Sequence, residues 1–186
     1  MYPEDKSPID SPSAVWCLQN FLLEEVEHRI GPRLQDKKIY QPDWDEGGPH
    51  LRHTKEKDGA YAELAPNAQS NWFFCTYQLA HETVHLLTQN TDTGANIFEE
   101  GLAVRFSLDM LSKLGFDISD LPATENYKYA LNNFDKLGDK KYVIAAEIRS
   151  QCGNYVDCDS EILKKAAPNL SDEDISALLN VKEMRP

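Results

Sequence analysis

The stretch His81-Glu82-Thr83-Val84-His85 decides how this chain reads. Its neighbours Tyr77, Leu79, Ala80, Leu86 and Leu87 are compatible with a helix, and no Pro or Gly interrupts the run from Asn71 to Gln89. Two histidines four positions apart on such a helix project from one face, roughly 40° apart around the axis. Both imidazoles can then reach a single metal ion. Glu82, one position round from His81, can reach a water on that metal without being a ligand itself. This is the geometry of a zinc hydrolase in which the carboxylate is the general base.

Working outward, the first question is the third ligand, because a site of this kind takes three protein groups and leaves one position for water. The pattern that continues through a Gly at position 88 and a His at position 91 is excluded, since both are Thr. Asp92 is a second option, in a short turn expected over 90–94. The third lies on the next helix, expected from about Ala95 to Leu114 and stopped by Gly115, where Phe98-Glu99-Glu100-Gly101-Leu102-Ala103 offers two carboxylates. Helical phase does not separate Glu99 from Glu100. Gly101 would let the two helices approach closely, as a short zinc bridge requires.

His-Glu-x-x-His followed on the next helix by Glu-Gly-Leu-Ala resembles the gluzincin metallopeptidases, the class that includes thermolysin and the zinc aminopeptidases. The resemblance spans Asn71 to Phe106. It implies an α+β, zincin-like fold, peptide hydrolysis, Zn2+ as cofactor and a peptide or protein as substrate. It places the third ligand at Glu100, the residue before Gly101, with Glu99 behind it. Only 14 residues separate His85 from Glu100, so the link between the helices is short and the scaffold minimal.

In the mechanism so implied, Glu82 takes a proton from the water and delivers it to the leaving amine. Such sites add a Tyr or His that donates to the developing oxyanion. Tyr127, Tyr129, Tyr142, Tyr155, His50 and His53 are the available residues. Tyr127 is selected because it starts the helix after the glutamate helix. His50 and His53, in a Pro/Gly-rich loop, read as exposed polar residues, and His28 as part of a solvated helix face.

The rest of the chain supplies a scaffold of one domain, 1–186, with residues 1–10 as a frayed lead-in. Ser11-Pro12 starts a helix whose apolar positions Val15, Leu18, Phe21, Leu22, Val26 and Ile30 end at Gly31-Pro32. Lys38 to Gln41 and Gly59 to Leu64 are β-friendly pieces between turns such as Glu46-Gly47-Gly48-Pro49, which predicts a small irregular antiparallel sheet. Asp43-Trp44-Asp45-Glu46 reads as a turn, and Gly59 to Glu63 as an edge strand along which an extended peptide can lie. Further helices are expected over Glu125 to Leu137, over Lys140 to Gln151, and from Ser171 with Ile175, Leu178 and Leu179 as the apolar face.

Composition narrows the function classes. With 31 acidic and 19 basic residues the net charge is −12, the wrong sign for a nucleic-acid or anionic-membrane surface. Hydrophobic residues at 41% suffice for a core. No secretory signal or membrane span is visible, so a cytoplasmic location and four reduced, structural cysteines are expected. No phosphate loop, nucleophile elbow or dinucleotide fingerprint occurs. The competing expectation is a catalytically silent or regulatory binding module on the same fold.

Overall fold

Pro12 needs no N–H at the first helical position and starts α1 (Pro12–Ile30); Gly31, at φ 92°, ends it with its N–H on the Glu27 carbonyl at 2.9 Å. In this computed structural model, which describes residues 5–33, 37–56, 58–87, 94–121 and 124–181, Val15, Leu18, Leu22, Val26 and Ile30 form the buried face of that helix. The lead-in, expected to fray, is pinned where it is described. Trp72 Nε1 donates to the Lys6 carbonyl at 2.8 Å and the Ile9 N–H to the Gln69 carbonyl at 3.0 Å.

Four short strands follow: β1 (Lys38–Ile39), β2 (Asp43–Trp44), β3 (His50–His53) and β4 (Gly59–Leu64). β4 is the hub, with Ala60, Ala62 and Leu64 fully buried on its inner face. β3 pairs with one edge of β4 antiparallel, from His50 opposite Glu63 to His53 opposite Ala60. β1 and β2 share the other edge and both run parallel to β4. The register slips by one residue between Ile39–Ala60 and Asp43–Glu63, where Pro42 has no N–H to give the ladder.

Four sequence expectations are corrected here. The sheet is not antiparallel throughout, because the chain passes from β2 to β3 across β4 and so enters β4 in the direction of β1 and β2. Asp43–Trp44 is strand rather than turn, and His50–His53 is strand rather than exposed loop. Their short, charged sequences carry no apolar alternation, and pairing with β4 alone makes them strands. Gly59 to Glu63 is therefore the central strand, not an edge.

Helices complete the α+β architecture: α2 (Trp72–Leu86), α3 (Ile97–Lys113), α4 (Glu125–Asp135), α5 (Lys141–Cys152), α6 (Ser160–Ala166) and α7 (Asp172–Leu179). Of the two caps the sequence predicts, Ser171 is present, whereas the Ser11 side chain makes no capping bond to α1; Asn71 and Asn96 are caps that the sequence reading does not assign. Asn71 accepts from the Phe73 N–H at 2.8 Å, Asn96 from the Glu99 N–H at 3.0 Å, and Ser171 from the Asp174 N–H at 3.1 Å. The sequence pattern does not predict the short α6. The turn expected over 90–94, and Asp92 with it, falls apart from Gly94 outside the described residues.

The chain folds so that α2 is enclosed. It packs on β4, on α1 and most extensively on α3, which in turn lies between α2 and α4. Gly101 does bring two helices together, but they are α3 and α4: a Cβ there would meet the Ala130 carbonyl oxygen and the Phe134 Cβ, each at 2.5 Å. The expectation that it serves the approach to the His-Glu-x-x-His helix is corrected accordingly. Among the described residues no helix is long and apolar enough to cross a membrane.

Candidate metal centre

The candidate side chains project from the facing surfaces of α2 and α3, and both helices are fixed from behind. Gln19 on α1 donates to the buried Thr83 hydroxyl at 2.9 Å. Gln78 accepts from the Ala65 N–H at 2.9 Å and donates to Asn67 at 2.7 Å, tying α2 to the end of β4. Arg149 on α5 donates to the Gly31 and Leu87 carbonyls at 2.8 and 2.9 Å, so one buried guanidinium satisfies the C-terminal ends of α1 and α2. Asn96 caps α3 and donates to the Tyr155 carbonyl at 2.8 Å, and Tyr155 stacks on Phe98 with ring centroids 5.2 Å apart. These contacts settle the phase of Glu99 and Glu100 relative to α2.

His81, His85 and Glu100 converge. Their nearest donor atoms are His81 Nε2 and His85 Nε2 at 3.3 Å, His81 Nε2 and Glu100 Oε2 at 3.3 Å, and His85 Nε2 and Glu100 Oε1 at 3.7 Å. Ligands ~2.0–2.1 Å from a tetrahedral zinc lie roughly 3.3–3.4 Å from one another, so two of the three separations match and the third is slightly long. Two imidazoles and a carboxylate are also the donor types zinc accepts. The residues fit the ion.

Glu99 takes a different place. Its Oε1 lies 2.9 Å from His85 Nδ1, on the side of the ring away from His81. With Nδ1–H directed at a carboxylate, the lone pair of neutral His85 is left on Nε2, facing Glu100 and His81. The two glutamates that helical phase could not separate thus diverge, one into the cluster and one behind it.

Electrostatics reflect three acids and two imidazoles in a largely dry space. Burial pushes the Glu82 carboxyl up, and the nearby Glu100 adds to this against His81, His85 and His50. Burial also acts to raise Glu100, but the His81 hydrogen bond and the two imidazole charges outweigh it and leave the carboxyl below its ordinary value. Burial acts to lower His85, yet Glu99, Glu100 and Glu82 together bring it up to about 10. Glu82 is 3% exposed and bonds to none of the three converging side chains.

Of the residues considered for an oxyanion donor, Tyr127 reaches the cluster. Its ring centroid is 5.1 Å from that of His81, and its N–H is capped by Thr124 at 3.3 Å. Tyr129 is 44% exposed, Tyr142 donates to Asp109 at 2.7 Å, and Tyr155 packs on Phe98. His53 is half-buried in β3, and His28 is exposed as expected. Tyr77, one turn before His81 on α2, reads in the sequence only as a helix-compatible residue. It packs with Tyr127 against Val104, Leu108 and Leu131, and its hydroxyl is buried.

Asp45, His50 and Glu63 form a second group whose donor atoms lie within 4.8 Å. Here the side chains are engaged with one another and with the backbone. His50 Nε2 is 2.6 Å from Glu63 Oε2, too close for two ligands of one ion, and Arg52 Nε donates to the same oxygen at 2.7 Å. His50 Nδ1 faces the Gly48 carbonyl at 2.9 Å and the Gly47 N–H occupies Asp45 Oδ2 at 2.9 Å. Compared with protein-family models, with curated proteins and with solved structures, the chain matches none.

Proposed function

We propose that this protein is a zinc-dependent peptidase, a small member of the gluzincin type with a zincin-like fold. The observation that carries the reading is the convergence of His81, His85 and Glu100 at separations that suit a tetrahedral ion, with Glu82 buried beside them. His81 and His85 would hold the zinc through Nε2 and Glu100 through its carboxylate, while Glu99 orients His85. When bound, zinc supplies an electrophile that polarises a carbonyl and acidifies water to a pKa of ~7.

The chain's own residues do the rest. Glu82 accepts a proton from the attacking water and passes it to the amine nitrogen as the C–N bond breaks. Its raised carboxyl suits a group that must take and return one proton near neutral pH. Tyr127, leaning on His81, donates to the carbonyl oxygen as charge develops there. A peptide in extended form has a sheet edge to follow, because β3 pairs with β4 on one side and with no strand on the other among the described residues.

The test is Glu82→Gln, which keeps side-chain shape but cannot accept the proton. It should retain full zinc and lose at least ~10²-fold in peptide hydrolysis. A Gln variant that cleaves as fast as the parent overturns the mechanism. A fully zinc-loaded parent that cleaves nothing in a broad peptide library instead identifies a silent binding module.

A further inference from the structure

We infer that Tyr77 is a further catalytic residue of this centre, its hydroxyl donating to the substrate carbonyl oxygen alongside Tyr127. The inference rests on the peptidase reading and adds a group to the same site. Tyr77 lies four residues before His81, on the helix face that carries His81 and His85, so the three side chains form one column along α2. Tyr77 heads that column, and its ring packs on the same cluster as Tyr127, whose ring lies 5.1 Å from that of His81. The two phenols share one apolar wall, Val104, Leu108 and Leu131, the first two of them on the ligand-bearing helix α3.

The hydroxyl itself is the telling atom. It is buried and has no hydrogen-bond partner among the described residues. A phenylalanine would fill the same space without the penalty of a buried, unsatisfied donor, so packing alone does not account for the oxygen. The phenol also stays protonated. Burial raises it well above its ordinary value and the Glu100 charge raises it further, which keeps its proton available for donation. Tyr127 is raised by burial, by Glu100 and Glu82, and by Tyr77, so both phenols feel the Glu100 charge.

An oxygen that gains negative charge during the reaction is the acceptor such an arrangement lacks. No proton is transferred; the phenol keeps its hydrogen throughout and strengthens its bond as the carbonyl oxygen becomes charged.

Tyr77→Phe tests this, measured beside the parent and Glu82→Gln for zinc content, steady-state kinetics and affinity for a phosphonamidate dipeptide whose charged P–O oxygen mimics the adduct. The expected result is one zinc per chain, an unchanged or higher Tm, kcat lower by ~10²-fold with KM within about threefold, and phosphonamidate affinity lower by a similar factor. A variant with parental kcat and parental phosphonamidate affinity overturns the assignment and leaves the peptidase reading standing. Loss of zinc in Tyr77→Phe overturns it too, by making the residue a support of the metal. A parent that takes up no zinc or cleaves no peptide removes the peptidase reading and the assignment with it, and a Glu82→Gln variant as active as the parent overturns the mechanism in which both residues act.

Discussion

Replacing Gly101 with alanine probes how the helix that carries Glu100 is seated. The added methyl would lie 2.5 Å from both the Ala130 carbonyl oxygen and the Phe134 Cβ on α4. Ordinary carbon contacts are ~3.4–4.0 Å, so α3 and α4 must part by roughly 0.5–1 Å, and the backbone oxygen has no rotamer with which to yield. Overpacking of this kind costs about 1–3 kcal/mol, and a backbone clash belongs at the upper end. The better helix propensity of alanine returns up to ~1 kcal/mol. The net loss is about 2 kcal/mol, a fall in Tm of roughly 4–8 °C for a chain of this length.

The displacement has a direction. α3 is held between α4 and α2, so relief from α4 drives it toward α2 and compresses the Glu100–His81 separation of 3.3 Å. Zinc affinity should therefore fall at least ~10-fold, as expected for ligand misplacement approaching 1 Å. Thermal denaturation and competition with a chromogenic chelator measure the two effects. Gly94→Ala, where an added Cβ meets nothing within 4 Å, is the control and should change neither. A Gly101→Ala protein with parental Tm and parental zinc affinity would refute the close-packing argument.

Two further predictions concern the groups behind the ligands. Glu99→Gln preserves shape but weakens the orientation of His85, and should lower zinc affinity by ~10–100-fold with folding intact; a variant with parental affinity contradicts that role. In metal-free protein burial disfavours the charged form of His85, but Glu99, Glu100 and Glu82 hold it up to about 10, above its ordinary 6.5. Its contribution is complete below about 6.5 and is lost as pH rises toward about 10, so unfolding free energy in chelator should fall by up to ~1.4 kcal/mol per pH unit. Lys37, brought down to about 8 by burial, acts oppositely above that pH, which makes pH 6.5–8 the window to use. Urea denaturation across it should slope downward without metal and lose that slope when zinc takes the place of the proton; a flat profile in chelator contradicts the coupling.

How much of this is visible in the sequence depends on the range of the interaction involved. His81 and His85 are legible because four-residue spacing on a helix is a local rule, and Ser171 is legible as a cap for the same reason. Glu100 became legible only by likeness to a family pattern; the turn of α3 that separates it from Glu99 is set by contacts with Tyr155 and α4, far away in the chain. Gly101 announces a close approach but not its partner. β2 and β3 are too short and too polar to show periodicity, and their direction follows from what lies beside β4. Tyr77 looks like any helix residue until burial shows its hydroxyl without a partner.

If α2 and α3 jointly grip one zinc ion, the metal content of the protein depends on Glu100. Elemental analysis of purified wild-type protein and Glu100→Ala, after dialysis against equal trace zinc, tests it most directly. The account predicts about one zinc per wild-type chain and little in the variant, with both proteins folded. A wild-type protein without bound zinc, or a Glu100→Ala protein that retains as much as its parent, would contradict it.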